Sequence, residues 1–207
     1  MQLANQIFYL AIFVTLSGLM ASFFWGKGSQ KDQYRIIYWP MALALLAVSS
    51  FGFFVSPWIG DIAIIFANLT LMSGVASLTL LFSTWNHSLT RQKRIIVLVV
   101  LTSASLGFLY LMANGAPISR IHLVNATLGI FSIWQIQCLT GVLKKENTYQ
   151  VKLLIFVELF QLSSRILRSL LLISNPDIYF ISLHEEDLLG FSLGIASSLS
   201  NVLICIL

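Results

Sequence analysis

The stretch "IFVELFQLSSRILRSLLLI", residues 155–173, decides the fold. It is long enough and apolar enough to cross a bilayer, which takes about 20 residues of helix. Yet it contains Glu158, Gln161, Arg165 and Arg168. At 100° per residue these four fall within an arc of about 80° and line one helix face over about 15 Å. On the insertion scale the three ionised groups cost roughly 7–9 kcal/mol, and the large apolar residues between Leu153 and Ile173 offset roughly 4–8 kcal/mol of that. Alone in lipid the segment is close to break-even, so its polar stripe is expected to face the interior of a helical bundle or a wet cavity.

The rest of the chain supplies such a bundle. Of its 207 residues 57% are hydrophobic and 10% are charged, against roughly 45–50% and about 25% in soluble domains. Seven apolar stretches are expected to be helices, near residues 4–25, 36–56, 62–84, 95–113, 122–143, 153–174 and 188–207. The links between them are short, so residues 1–207 read as one all-α integral membrane domain, a seven-transmembrane helix bundle. Helices are required because lipid offers no partner to an open backbone. The first stretch lacks a basic flank in "MQLANQ", so it reads as a span and not as a signal peptide. Pro40 falls at the start of the second, where it is tolerated.

Charge sets the orientation. Nine of the twelve Lys and Arg lie in odd-numbered links: Lys27, Lys31 and Arg35; Arg91, Lys93 and Arg94; Lys144, Lys145 and Lys152. The even links hold Arg120 and most of the acids: Asp61, Asp177, Glu185, Glu186 and Asp187. The positive-inside rule places the N-terminus outside and the C-terminus in the cytoplasm. The formal charge of +4 follows from this asymmetry, and no nucleic-acid partner is expected.

Catalysis finds no support in the sequence. The last span has no lysine for a retinal Schiff base, and "LMSG" (residues 71–74) lacks the first glycine of an intramembrane serine-protease motif. There is no HExxH and no phosphate-binding loop. "HEED" (residues 184–187) has no second ligand cluster. Cys138 and Cys205 each stand alone in a span. No metal, cofactor or catalytic residue is expected, and this chain is not read as an enzyme.

The candidate ligand site is therefore the stripe of the sixth span. Arg165 and Arg168 are suited to a planar carboxylate or phosphate. On the fifth span His122, Asn125, Gly129 and Ser132 share a face by the same spacing, and Arg120 and His122 sit at its outer end. Arg165, Arg168, Glu158, Gln161, His122, Asn125 and Arg120 are taken together as the candidate binding set for a small anionic or amphipathic ligand, or a lipid, entering from the outer side. Equally open is a structural role, in which Glu158 and the arginines bond to one another and to neighbouring helices. Gln135 and Gln137 read as packing residues. The link "NPDIYFISLHEEDLLG" reads as an outer loop or as a lid whose acids hold the arginines. Two seams of small residues, Ala63, Ala67, Thr70, Gly74 and Ser77 on the third span and Gly190, Gly194 and Ser198 with Asn201 on the seventh, suit close helix approach. The seventh is also a possible homodimer seam.

"RIIYWPMALALLAVSSFGFF", then "ANLTLMSGVASLTLLF", a basic link and an Arg-bearing sixth span resemble the N-terminal membrane sensor regions that precede GGDEF domains in bacterial diguanylate cyclases. The resemblance covers most of the chain from Arg35 onward, and no short motif in it is diagnostic. It implies a receptor-like input module in a bacterial inner membrane, controlling a cytoplasmic output domain that makes cyclic-di-GMP. The chain ends at "NVLICIL", within a span, so that output domain is expected in a longer form of the same protein. Two other readings stand beside it: a transporter or channel component with arginines as counter-charges, and a structural membrane subunit whose stripe docks a partner helix.

The orientation is checked by reporter fusions. A reporter placed after Lys145 is expected in the cytoplasm, and one placed in the link after Asn175 outside it.

Overall fold

A computed structural model describes residues 2–25, 33–86, 89–115, 117–174 and 188–206. Seven α-helices account for almost all of them, and no strand occurs among the described residues. They are α1 (Gln2–Trp25), α2 (Gln33–Ile59), α3 (Asp61–Asn86), α4 (Arg91–Asn114), α5 (Pro117–Leu143), α6 (Tyr149–Ser174) and α7 (Leu188–Ile206). Each coincides with one of the seven apolar stretches. Most ends run a few residues further, because polar interfacial residues continue a helix that hydropathy alone would stop. Five of them, α1 to α5, are long and apolar enough to cross a membrane. α6 is set apart by Lys152, Glu158, Arg165 and Arg168 along its length.

The surface agrees with a lipid environment. Ile62, Leu106, Phe156 and Ile173 are all more than half exposed. In water so much open apolar area would be an aggregation hazard; in a bilayer it is the solvated face.

The helices pack in the order α1, α2, α3, α5, α6, α7, and α7 returns to touch α1. α4 lies outside this ring, against α5 and α3. The ring is also joined where the Trp39 indole of α2 donates to the Cys205 carbonyl of α7 at 3.3 Å. The core holds Leu16, Leu43, Met72, Leu78, Phe82, Phe108, Phe131 and Leu139, all nearly or fully buried.

α2 and α3 form a tight antiparallel pair. Gly60, with φ of +79°, makes the turn between them, a left-handed conformation that glycine adopts without a Cβ clash. α2 runs through Pro40 and Pro57 without a break. The small residues of α3 face its partner. A Cβ on Gly52 would lie 2.9 Å from the Ala67 Cβ, and one on Gly74 would lie 2.9 Å from Leu46 Cδ2. Ala63, Ala67, Thr70 and Ser77 are all buried, so the third-span seam is an internal packing surface. Gly190 and Gly194 of the seventh-span seam lie outside the described side chains. The acidic link of residues 175–187, and Lys27 and Lys31 of the first basic link, lie outside the described residues.

At one end of the bundle the Lys145 ammonium donates to the Asn86 carbonyl at the end of α3. This brings the two basic links, 3–4 and 5–6, to the same end. Thr90 caps α4 there, its hydroxyl accepting from the Lys93 amide at 3.3 Å.

Close packing at Gly52 makes a clear prediction. Gly52→Val is expected to lower the stability of the purified chain by about 1–3 kcal/mol. Gly18→Ala, where nothing lies within 4 Å of the added carbon, is expected to leave it within about 1 kcal/mol. Thermal unfolding in detergent checks both.

Candidate functional site

The stripe on α6 faces inward. Glu158 is 0% exposed, Gln161 1% and Arg165 4%. Arg168, one turn further along, is half-buried. The 3, 4, 3 spacing places all four on one face, and the apolar remainder of α6 turns Phe156, Phe160, Ile166 and Ile173 outward.

α5 runs antiparallel to α6 and meets it residue by residue. Arg165 Nη1 donates to the Leu128 carbonyl at 3.0 Å and to Ser132 Oγ at 2.7 Å. The Leu128 carbonyl already belongs to the α5 helix ladder, and its second lone pair serves the guanidinium. One turn away, Asn125 Nδ2 donates to Ser169 Oγ at 3.2 Å. One turn the other way along the same face, Gln161 Nε2 donates to Asn201 Oδ1 of α7 at 2.7 Å. The cluster therefore ties α5, α6 and α7 together.

The polar seam continues past α5. Gln135, one turn from Ser132, donates to the Val75 carbonyl at 3.1 Å and to Thr79 Oγ1 at 2.9 Å on α3. Ser83 Oγ and Cys138 Sγ approach to 3.5 Å beside it. Gln135 is thus a packing residue, as expected. Gln137, by contrast, is exposed.

The charged pair at the centre is incompletely satisfied. Both carboxylate oxygens of Glu158, and Nε and Nη2 of Arg165, are buried without a hydrogen-bond partner among the described residues. Glu158 and Arg165 lie two turns apart and interact electrostatically. Ser132 stands between them: it accepts from Arg165, and its hydroxyl lies beside Glu158 without reaching good hydrogen-bond geometry. Buried polar atoms are nearly always paired, with protein, water or ligand. Four orphan atoms on two opposite charges define a small polar locus with two donors on one side and two acceptors on the other.

The candidate set divides accordingly. Glu158, Gln161, Arg165 and Asn125 come together in the cluster. Arg168 lies at its edge, and His122 is half-buried near the start of α5. Arg120 is directed elsewhere: its Nε donates to the Leu111 carbonyl at 3.1 Å and its Nη2 to the carbonyls of Met112 and Gly115 at 3.3 and 3.1 Å. It closes the C-terminal end of α4, where helix carbonyls lack partners. Ser132 and Asn201 complete the cluster without belonging to the candidate set. Ser132 shares the spacing of Asn125, and Asn201 is a lone amide in an apolar helix. No three His, Cys, Asp or Glu converge as a metal site among the described residues.

With this geometry in hand, comparison with known proteins finds no match to a family model, to a curated protein or to a solved structure.

The Gln161–Asn201 bond can be tested by a double-mutant cycle with Gln161→Ala and Asn201→Ala. A coupling of about 0.6 kcal/mol is expected, the usual size for such bonds between membrane helices. A cycle that sums to zero would show that α6 and α7 are not held by this pair.

Proposed function

We propose that the chain is a seven-span input module of a bacterial inner membrane, with its N-terminus outside and its C-terminus in the cytoplasm. It takes a small anionic or amphipathic ligand, a free molecule or a lipid headgroup, in the outer half of the bundle. The observation that carries this reading is Arg165: one nitrogen is fixed by α5, and Nε and Nη2 are buried with no hydrogen-bond partner among the described residues. That leaves a preoriented guanidinium edge, the geometry that receives a carboxylate or phosphate through two parallel bonds. Ionisable groups inside a membrane domain mark function by default, because an idle one is costly to keep.

Transmission follows from the same contacts. Gln161 lies one turn from Arg165 and holds α7 through Asn201. A ligand that prefers one packing of α6 shifts the position of α7 by its difference in affinity for the two packings. On the sequence resemblance, the output is a cytoplasmic domain of the diguanylate cyclase type, in a longer form of the chain and working as a pair.

A second reading has an observation of its own. The same side chains bridge α5, α6 and α7, which is what a purely structural cluster requires.

Native mass spectrometry of the detergent-purified chain separates the two. The wild type is expected to retain an anionic small molecule or lipid that Arg165→Ala and Arg168→Ala both lose while staying folded. Nothing retained, with both variants unfolding, leaves the cluster as internal glue.

A further inference from the structure

The ligand reading has a consequence in charge. Glu158 and Arg165 are buried together at 0% and 4% exposure. With Glu158 ionised, the pair is neutral. An anion placed on the open edge of Arg165 leaves the buried group with a net negative charge in a medium that solvates it poorly, which is strongly unfavourable. A proton on Glu158 removes the excess. It also converts an acceptor with no partner into a hydroxyl donor that can face the anion or Ser132.

We infer that the site admits an anion only together with one proton, and that the proton goes to Glu158. This rests on the reading of Arg165 as a ligand site. The balance is simple: one anion and one proton enter, and the buried charge stays at zero. Glu158 and its neighbours leave few other sources of compensation. α5 presents Asn125 and Ser132 toward α6, and α7 presents Asn201; none of these carries charge. On α6 itself Arg168, one turn beyond Arg165, is the further charge of the stripe; it is half-buried, with its Nε buried. The other titratable side chains on the facing helix are His122 near its start, Arg120, which is bonded to the end of α4, and Cys138, which lies beside Ser83. Coupling of this kind makes the module respond to the product of anion and proton activity, in effect to a weak acid arriving in its undissociated form.

Nitrate is a suitable probe. It is planar and matches a guanidinium edge as a carboxylate does, and it carries no proton of its own, so any proton taken up belongs to the chain. Calorimetric titration of sodium nitrate into the full chain in lipid nanodiscs, in buffers of different ionisation enthalpy, counts those protons. The wild type is expected to take up about one proton per nitrate, with affinity falling toward tenfold per pH unit where Glu158 is ionised in the free chain. Glu158→Gln, which keeps the shape and removes the charge, is expected to bind nitrate with no uptake and no such slope. Nitrate bound by the wild type without uptake and with pH-independent affinity overturns the coupling, assigns the balance to Arg168, and leaves the ligand reading standing. Uptake that persists in Glu158→Gln overturns the assignment and points to His122. No nitrate binding by either protein overturns the coupling and the anion site alike.

Discussion

A guanidinium buried inside a helical bundle has to be surrounded by its own protein, and much of this structure is arranged around that requirement. Arg165 cannot reach water from the middle of α6, so α5 brings a helix carbonyl and Ser132 to it. This fixes the antiparallel contact between α5 and α6 and their rotation about their axes. Once α6 is rotated to bury Arg165, Glu158 and Gln161 are buried with it, because they lie on the same face. Asn201 of α7 then meets the Gln161 amide. One charge thus organises three helices, although a single pair of hydrophobic faces has no preference of this kind in lipid.

Apolar packing and polar bonding are divided between two halves of the bundle. α2 and α3 associate through close backbone approach, with Gly52 against Ala67 and Gly74 against Leu46, and α1 adds ring contacts to α2, Tyr9 with Phe53 and Phe13 with Phe51. α5, α6 and α7 associate through hydrogen bonds between side chains. Gln135 joins the halves by reaching from α5 to Val75 and Thr79 on α3. The glycine-packed half is dense and needs no ligand to be complete. The bonded half has buried atoms of Glu158 and Arg165 without hydrogen-bond partners at its centre among the described residues.

The seven helices were legible because each is a long apolar run between polar links, and lipid permits no other backbone for such a run. The inward face of α6 was legible from the 3, 4, 3 spacing of Glu158, Gln161, Arg165 and Arg168. Partners were not. Periodicity says which way a residue points along its own helix, and nothing about the level at which another helix passes. Asn201 and Ser132 joined the cluster for that reason alone. Arg120 shows the converse: its position beside His122 suggested a shared site, but its guanidinium bonds to carbonyls at the end of α4. Such a contact depends on how the start of α5 meets the end of α4, which neither charge nor hydropathy encodes.

The contact between Trp39 and Cys205 spans 166 residues of chain. A ribosome makes the indole of α2 long before its acceptor in α7. Throughout synthesis α1, α2 and α3 can pair as each emerges, since their contacts are between sequence neighbours, but the ring stays open along the flank of α1 and α2. Its closure waits for α7, when two edges made far apart in time meet. Until then the polar face of α6 has α5 beside it and a gap where α7 will stand, so the order of birth leaves the most expensive residues of the bundle half-sheltered until the next helix is made.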